Sequence, residues 1–77
     1  MEIGTLIAQF DCMLAQEQLQ DMMSLNAAGE PGIALENLCT QLYEFDIPVE
    51  ETELSKIRQL CLAMGVSQKY WQRLSKS

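Results

Sequence analysis

Seventy-seven residues, 48% of them apolar, make one domain with a small core, and no apolar run is long enough to span a bilayer. The net charge is −6, with no histidine and three cysteines. That composition removes the imidazole base from any catalytic scheme, and with no Cys-x-x-Cys spacing it leaves a zinc site short of its usual donors.

The N-terminal stretch "MEIGTLIAQFDC" carries Glu2 and no basic residue, so it reads as part of the domain rather than as a secretory signal. Ile3, Leu6, Ile7, Phe10, Met13 and Leu14 follow the i, i+3, i+4, i+7 stripe of an amphipathic helix, expected over residues 2–14. Carrying that phase forward lands on Glu17, Gln18 and Asp21, whereas the next apolar cluster is Leu19, Met22 and Met23. The stripe has slipped by one position, which predicts a break within residues 15–18 and a second helix over 16–28.

The run "GEPG", Gly29 to Gly32, resembles a phosphate-cradling turn at first sight. Glu30 stands where an anion would dock and would repel it. Gly29 instead suits the left-handed residue that closes a helix, and Pro31 suits the first turn of the next. A third helix is expected from there to about Phe45, burying Leu35, Leu38, Cys39 and Leu42, with Ile33 and Phe45 at its flanks. Pro48 forbids continuation. A fourth helix follows over residues 50–64, with Glu50, Glu51 and Glu53 at its positive end and Leu54, Ile57, Leu60, Cys61 and Met64 inward. Gly65 ends it, and Ser67 caps a last short helix, Gln68 to Leu74, that buries Trp71 and Leu74. No strand-like alternation occurs, so residues 1–77 read as a single all-α domain, a compact bundle of four to five short helices.

Cys12, Cys39 and Cys61 read as reduced, buried thiols of a cytoplasmic protein. Met13, Met22, Met23 and Met64 occur at helical spacings; flexible methionines line adaptable grooves, but they more often fill gaps in a core, and that is the expectation here. Neither a Gly-x-Ser-x-Gly elbow nor a P-loop is present, and so small a chain has little room for a closed pocket. No catalytic residue, cofactor or metal ligand is assigned, and the chain reads as a non-enzyme.

Charge divides the chain. All eleven acidic residues lie between Glu2 and Glu53, and all five basic residues, Lys56, Arg58, Lys69, Arg73 and Lys76, come after them. Such asymmetry points to a charged partner.

From Gly29 to Leu74 the chain resembles the small MafI-like immunity proteins of bacterial toxin–immunity systems, those of polymorphic toxins and contact-dependent growth inhibition. The likeness is carried by the Gly-Glu-Pro-Gly turn, by "ALENLCTQLYEFDIP" from Ala34 to Pro48, by a helix ending in Met-Gly and by the closing "YWQRL". The first 28 residues match only in length and helical character. The resemblance implies a non-enzymatic, cytoplasmic protein that binds and neutralises one cognate toxin domain, often a nuclease, delivered by neighbouring bacteria.

The residues themselves lead the same way. A nuclease must hold a polyanion, so its cleft is usually basic, and an acidic inhibitor competes for it with fast, charge-steered association. The carboxylates around the third helix, Glu30, Glu36, Glu44 and Asp46, with Glu50 beyond and Tyr43 as an aromatic anchor, are the expected partner-binding residues. Glu36 and Glu44 are both expected to be exposed, about two turns apart on one face. No membrane partner is expected. The alternative is a helix-turn-helix regulator: "LCLAMGVSQKYWQRL", Leu60 to Leu74, sets a small residue four before a glycine and then a helix with Lys69 and Arg73. Its recognition helix is short and carries Trp71, and the acidic half would repel a phosphate backbone, so nucleic acid is the lesser reading.

Overall fold

A computed structural model describes residues 3–74, which form five helices and no strand. Glu2 and Lys76, both used in the charge analysis, lie outside the described residues.

Helix α1 spans Ile3–Ala8, shorter than the expected 2–14. Beyond Ala8 the backbone tightens: the N–H groups of Gln9, Phe10 and Asp11 reach back three residues, to the carbonyls of Leu6, Ile7 and Ala8, at 3.1, 3.0 and 3.1 Å. Asp11 and Cys12 are weak helix formers, and the turn brings Phe10 and Leu14 inward without them. Met13 is left 51% exposed and Cys12 exposed, although the apolar stripe and the thiol pattern put both inside.

Helix α2 spans Gln16–Ala27. Gln18 explains the slipped stripe. Its side-chain oxygen accepts the Ala15 N–H at 2.7 Å, which satisfies a free donor at the start of α2. Its amide nitrogen donates to the Gln41 side chain on α3. The helix closes as expected at Gly29, whose φ is +85°. Glu30 N–H donates to Leu25 O at 2.9 Å and Gly29 N–H to Asn26 O at 3.2 Å, the paired bonds of a Schellman closure.

Helix α3, Pro31–Glu44, begins on its proline and is the spine of the bundle. Ala34, Leu35, Leu38, Cys39 and Leu42 are its buried face. It closes with the same pair of bonds, Ile47 N–H to Leu42 O at 3.0 Å and Asp46 N–H to Tyr43 O at 3.2 Å. The left-handed residue here is Asp46, at φ 53°. Helix α4 spans Glu51–Met64, with the Glu53 carboxylate accepting the Glu50 N–H at 3.2 Å. Gly65, at φ +73°, ends it, and Val66 N–H donates to Cys61 O at 2.8 Å. Helix α5 is only Gln68–Gln72, so it stops short of Leu74; Ser67 Oγ accepts the Lys69 N–H at 3.4 Å as its cap.

The core joins Leu6, Ile7 and Phe10 to Met22, to the α3 face, and to Ile57 and Cys61 of α4. Each such aliphatic or aromatic side chain contributes about 1.5–3 kcal/mol when fully covered. Ala34, Val49 and Val66 belong to it too, the two valines from connecting segments. Leu54, Leu60 and Trp71, expected inside, are partly covered and pack against its edge. Met64 is 44% exposed, and Ile33 and Phe45 are exposed as well. Of the methionines at helical spacings, only Met22 is buried; Met13, Met23 and Met64 face outward, against the core-filling expectation.

Candidate protein-interaction surface

The six residues expected to bind a partner do not form one patch. Glu30 is the exposed N-cap of α3 and makes no side-chain capping bond. Fourteen residues later, about 21 Å along the helix at 1.5 Å per residue, Tyr43, Glu44 and Asp46 gather at the other end of α3, with Glu50 at the start of α4. Glu44, Asp46 and Glu50 are exposed, and Tyr43 is 50% exposed. Glu36 is half-buried, a correction to its expected exposure. Its charge raises both the Cys39 and the Cys61 thiol, as the smallest of the influences on each.

The corner at the end of α3 breaks local rules. A helix C-terminus carries partial negative charge and favours a cation, yet the last turn of α3 holds no basic residue, and Glu44 and Asp46 stand there instead. Asp46 also occupies a left-handed conformation that costs a non-glycine residue about 1 kcal/mol. Among the described residues no carboxylate pairs within 4.0 Å with a lysine or arginine. Departures of this kind gather at functional positions.

Two further residues complete the corner. Phe45, immediately after the helix, is 62% exposed. Arg73, the C-cap of α5, lays its guanidinium 4.2 Å from the centre of the Tyr43 ring. Phe45 falls in phase with the buried stripe of α3, which hides its exposure from a periodicity argument. Arg73 sits in the basic segment, which the sequence assigns to a different surface; only the packing of α5 on α3 brings it beside Tyr43. Tyrosine, phenylalanine and arginine over a polar rim are the composition of an interface anchor.

Cys39 and Cys61 are buried against each other: the Cys61 sulfur and then burial push the Cys39 thiol up, while the Cys39 sulfur draws Cys61 down. Among the described residues no three acidic or sulfur side chains converge as metal ligands, and no helix is long and apolar enough to cross a membrane.

In the α4–α5 segment, where the alternative reading expects a recognition helix, α5 is only five residues long. Its two cations are already placed against aromatic rings, Arg73 on Tyr43 and Lys69 5.6 Å from the Tyr70 centroid. Compared with models of known families, with characterised proteins and with solved structures, the chain matches none.

Proposed function

We propose that this protein is an immunity protein, a non-enzymatic inhibitor that binds and neutralises a cognate bacterial toxin domain with a basic, nucleic-acid-binding cleft. The observation that carries the reading is the corner at the end of α3, where Glu44 and Asp46 stand exposed beside Tyr43, Phe45 and Arg73. The carboxylates supply the negative potential that steers a basic partner, and the half-exposed rings supply apolar area that holds it. The resemblance of Gly29 to Leu74 to MafI-like immunity proteins supports the same reading, with the cytoplasm as the proposed location.

The test is survival of cells that express the cognate toxin domain, alongside the rate of association in vitro. Reversal of Glu44 and Asp46 to lysine should slow association and abolish protection, while the helical spectrum shows the protein still folded. Glu36 is left out of this test, since reversing a half-buried charge would disturb the fold. Association of the unaltered protein should slow steeply between low and physiological salt. Protection that survives the double reversal overturns the chosen surface. Sequence-specific DNA binding that is lost on changing Lys69 and Arg73, with no toxin neutralised, overturns the immunity reading in favour of a regulator.

A further inference from the structure

A second feature lies at the same end of the bundle. Between the end of α1 and the face of α2 is a cleft of about 250 Å³, lined by Ala8, Asp11, Gln16, Leu19, Gln20 and Met23. Its origin is local. Ala8 contributes only a methyl group where α1 stops, and the chain then turns away through residues 9–14. Leu19, 7% exposed, is the floor. Met23 is one wall, its thioether lying over Gly4, where an added Cβ would meet the sulfur at 3.9 Å. Asp11, Gln16 and Gln20 are exposed at the rim.

The volume falls below the range of small-molecule pockets and suits one large apolar side chain. Met23 is 37% exposed, and Met13 in the neighbouring turn 51%, so flexible thioethers that a core would ordinarily absorb face outward here. Charge selects among occupants. Asp11 lies on the rim and Glu17 is exposed beside Gln16, while no lysine or arginine occurs before Lys56. A second copy set head to head would bring the same acidic face against itself, and the α5 cations that it could otherwise offer, Lys69 and Arg73, lie over Tyr70 and Tyr43. A nucleic acid or an anionic membrane would be repelled. A basic protein segment is attracted.

We propose that the α1–α2 cleft docks a basic amphipathic helix of a partner protein, which seats one large apolar side chain between Ala8, Leu19 and Met23 and sets its lysines or arginines against Asp11 and Glu17. Gln18, two residues after Gln16, bonds to Gln41, which lies three residues before Glu44, so the start of α2 and the end of α3 are at one end of the molecule. The partner on the proposed reading is therefore the toxin itself, and the inference rests on that reading only for the partner's identity, not for the docking.

The probe is a synthetic leucine–lysine amphipathic helix with one phenylalanine, titrated into the whole protein while methyl resonances are followed by NMR. Saturable shifts are expected at the methyl groups of Ala8, Leu19 and Met23. Ala8→Phe fills the cleft without altering charge, and it should weaken binding about tenfold while the helical spectrum and melting temperature stay in place. A peptide with glutamate in place of lysine should not bind. Equal affinity for Ala8→Phe overturns the proposal, as do shifts confined to other faces, equal binding of the acidic peptide, binding of phosphatidylserine vesicles, or self-association through these methyl groups. Any of these outcomes leaves the immunity reading to be decided by toxin survival, so the two fail separately.

Discussion

Arg73 stacks on Tyr43, its guanidinium carbon 4.2 Å from the ring centroid, and so the residue that ends α5 rests on the last turn of α3. A cation over a half-exposed ring is worth about 0.5–1 kcal/mol. Arg73→Ala should lower the unfolding free energy by that amount, and Arg73→Lys should recover part of it. A urea double-mutant cycle with Tyr43→Leu checks the claim. Zero coupling between the two positions would mean that the stack contributes nothing beyond the separate side chains.

Asp46 closes α3 at φ 53°, a conformation that glycine adopts without strain. Asp46→Gly should stabilise the protein by about 0.5–1 kcal/mol, since it also removes a carboxylate from the negative end of a helix. For a domain of this size that is a rise of several degrees in Tm, about 4–8 °C per kcal/mol. If Asp46 serves partner binding, the same variant should bind more weakly. A variant that is less stable would show that the aspartate side chain stabilises the turn by some other contact.

Gly29 and Gly65 stand at φ +85° and +73°, and nothing lies within 4 Å of a Cβ added at either. The cost of alanine is therefore conformational and free of steric clash. Gly29→Ala and Gly65→Ala should each lose on the order of 1 kcal/mol, measured by thermal unfolding. Near-equal losses are the signature of a shared backbone cause. Unchanged stability at Gly29 would place the strain elsewhere in the turn.

One thiol of three is exposed. A disulfide reagent at neutral pH should label Cys12 rapidly, and all three cysteines only after denaturation. Raising the pH to 9.0, the ordinary value for a thiol, should not recruit Cys39, because the Cys61 sulfur beside it and its burial keep it protonated. Rapid reaction of two or three equivalents in the native protein would mean that the α3–α4 interface opens.

Helix number, order and most boundaries were legible because Gly29, Pro31, Pro48, Gly65 and Ser67 are punctuation that acts through the backbone alone. The early end of α1 was not. Ile3 to Leu14 keep a helical apolar period, and a tightened turn satisfies the same inward positions, so periodicity cannot separate the two. Gln18 shows the reverse case. Its polarity marked a fault in the stripe correctly, but its capping bond and its bond to Gln41 depend on α2 and α3 being neighbours. At the candidate surface, Glu44 and Asp46 were legible as charges at a helix end. Glu36 was misread as exposed because a helical wheel does not show which side another helix covers. Arg73 was assigned to another surface for the same reason, since its partner Tyr43 is thirty residues away in sequence.

The closures at Gly29, Asp46 and Gly65 bear also on how quickly the chain finds its structure. Each satisfies its helix end with carbonyls from the same helix, so each reversal can form before the core does. The helices that follow are joined by only a few residues, and little loop entropy opposes their docking. Helical bundles with such local pairing refold in about microseconds to milliseconds. On the proposed immunity reading, newly made chains would then be competent almost as soon as they leave the ribosome, and supply would be set by synthesis rather than by folding.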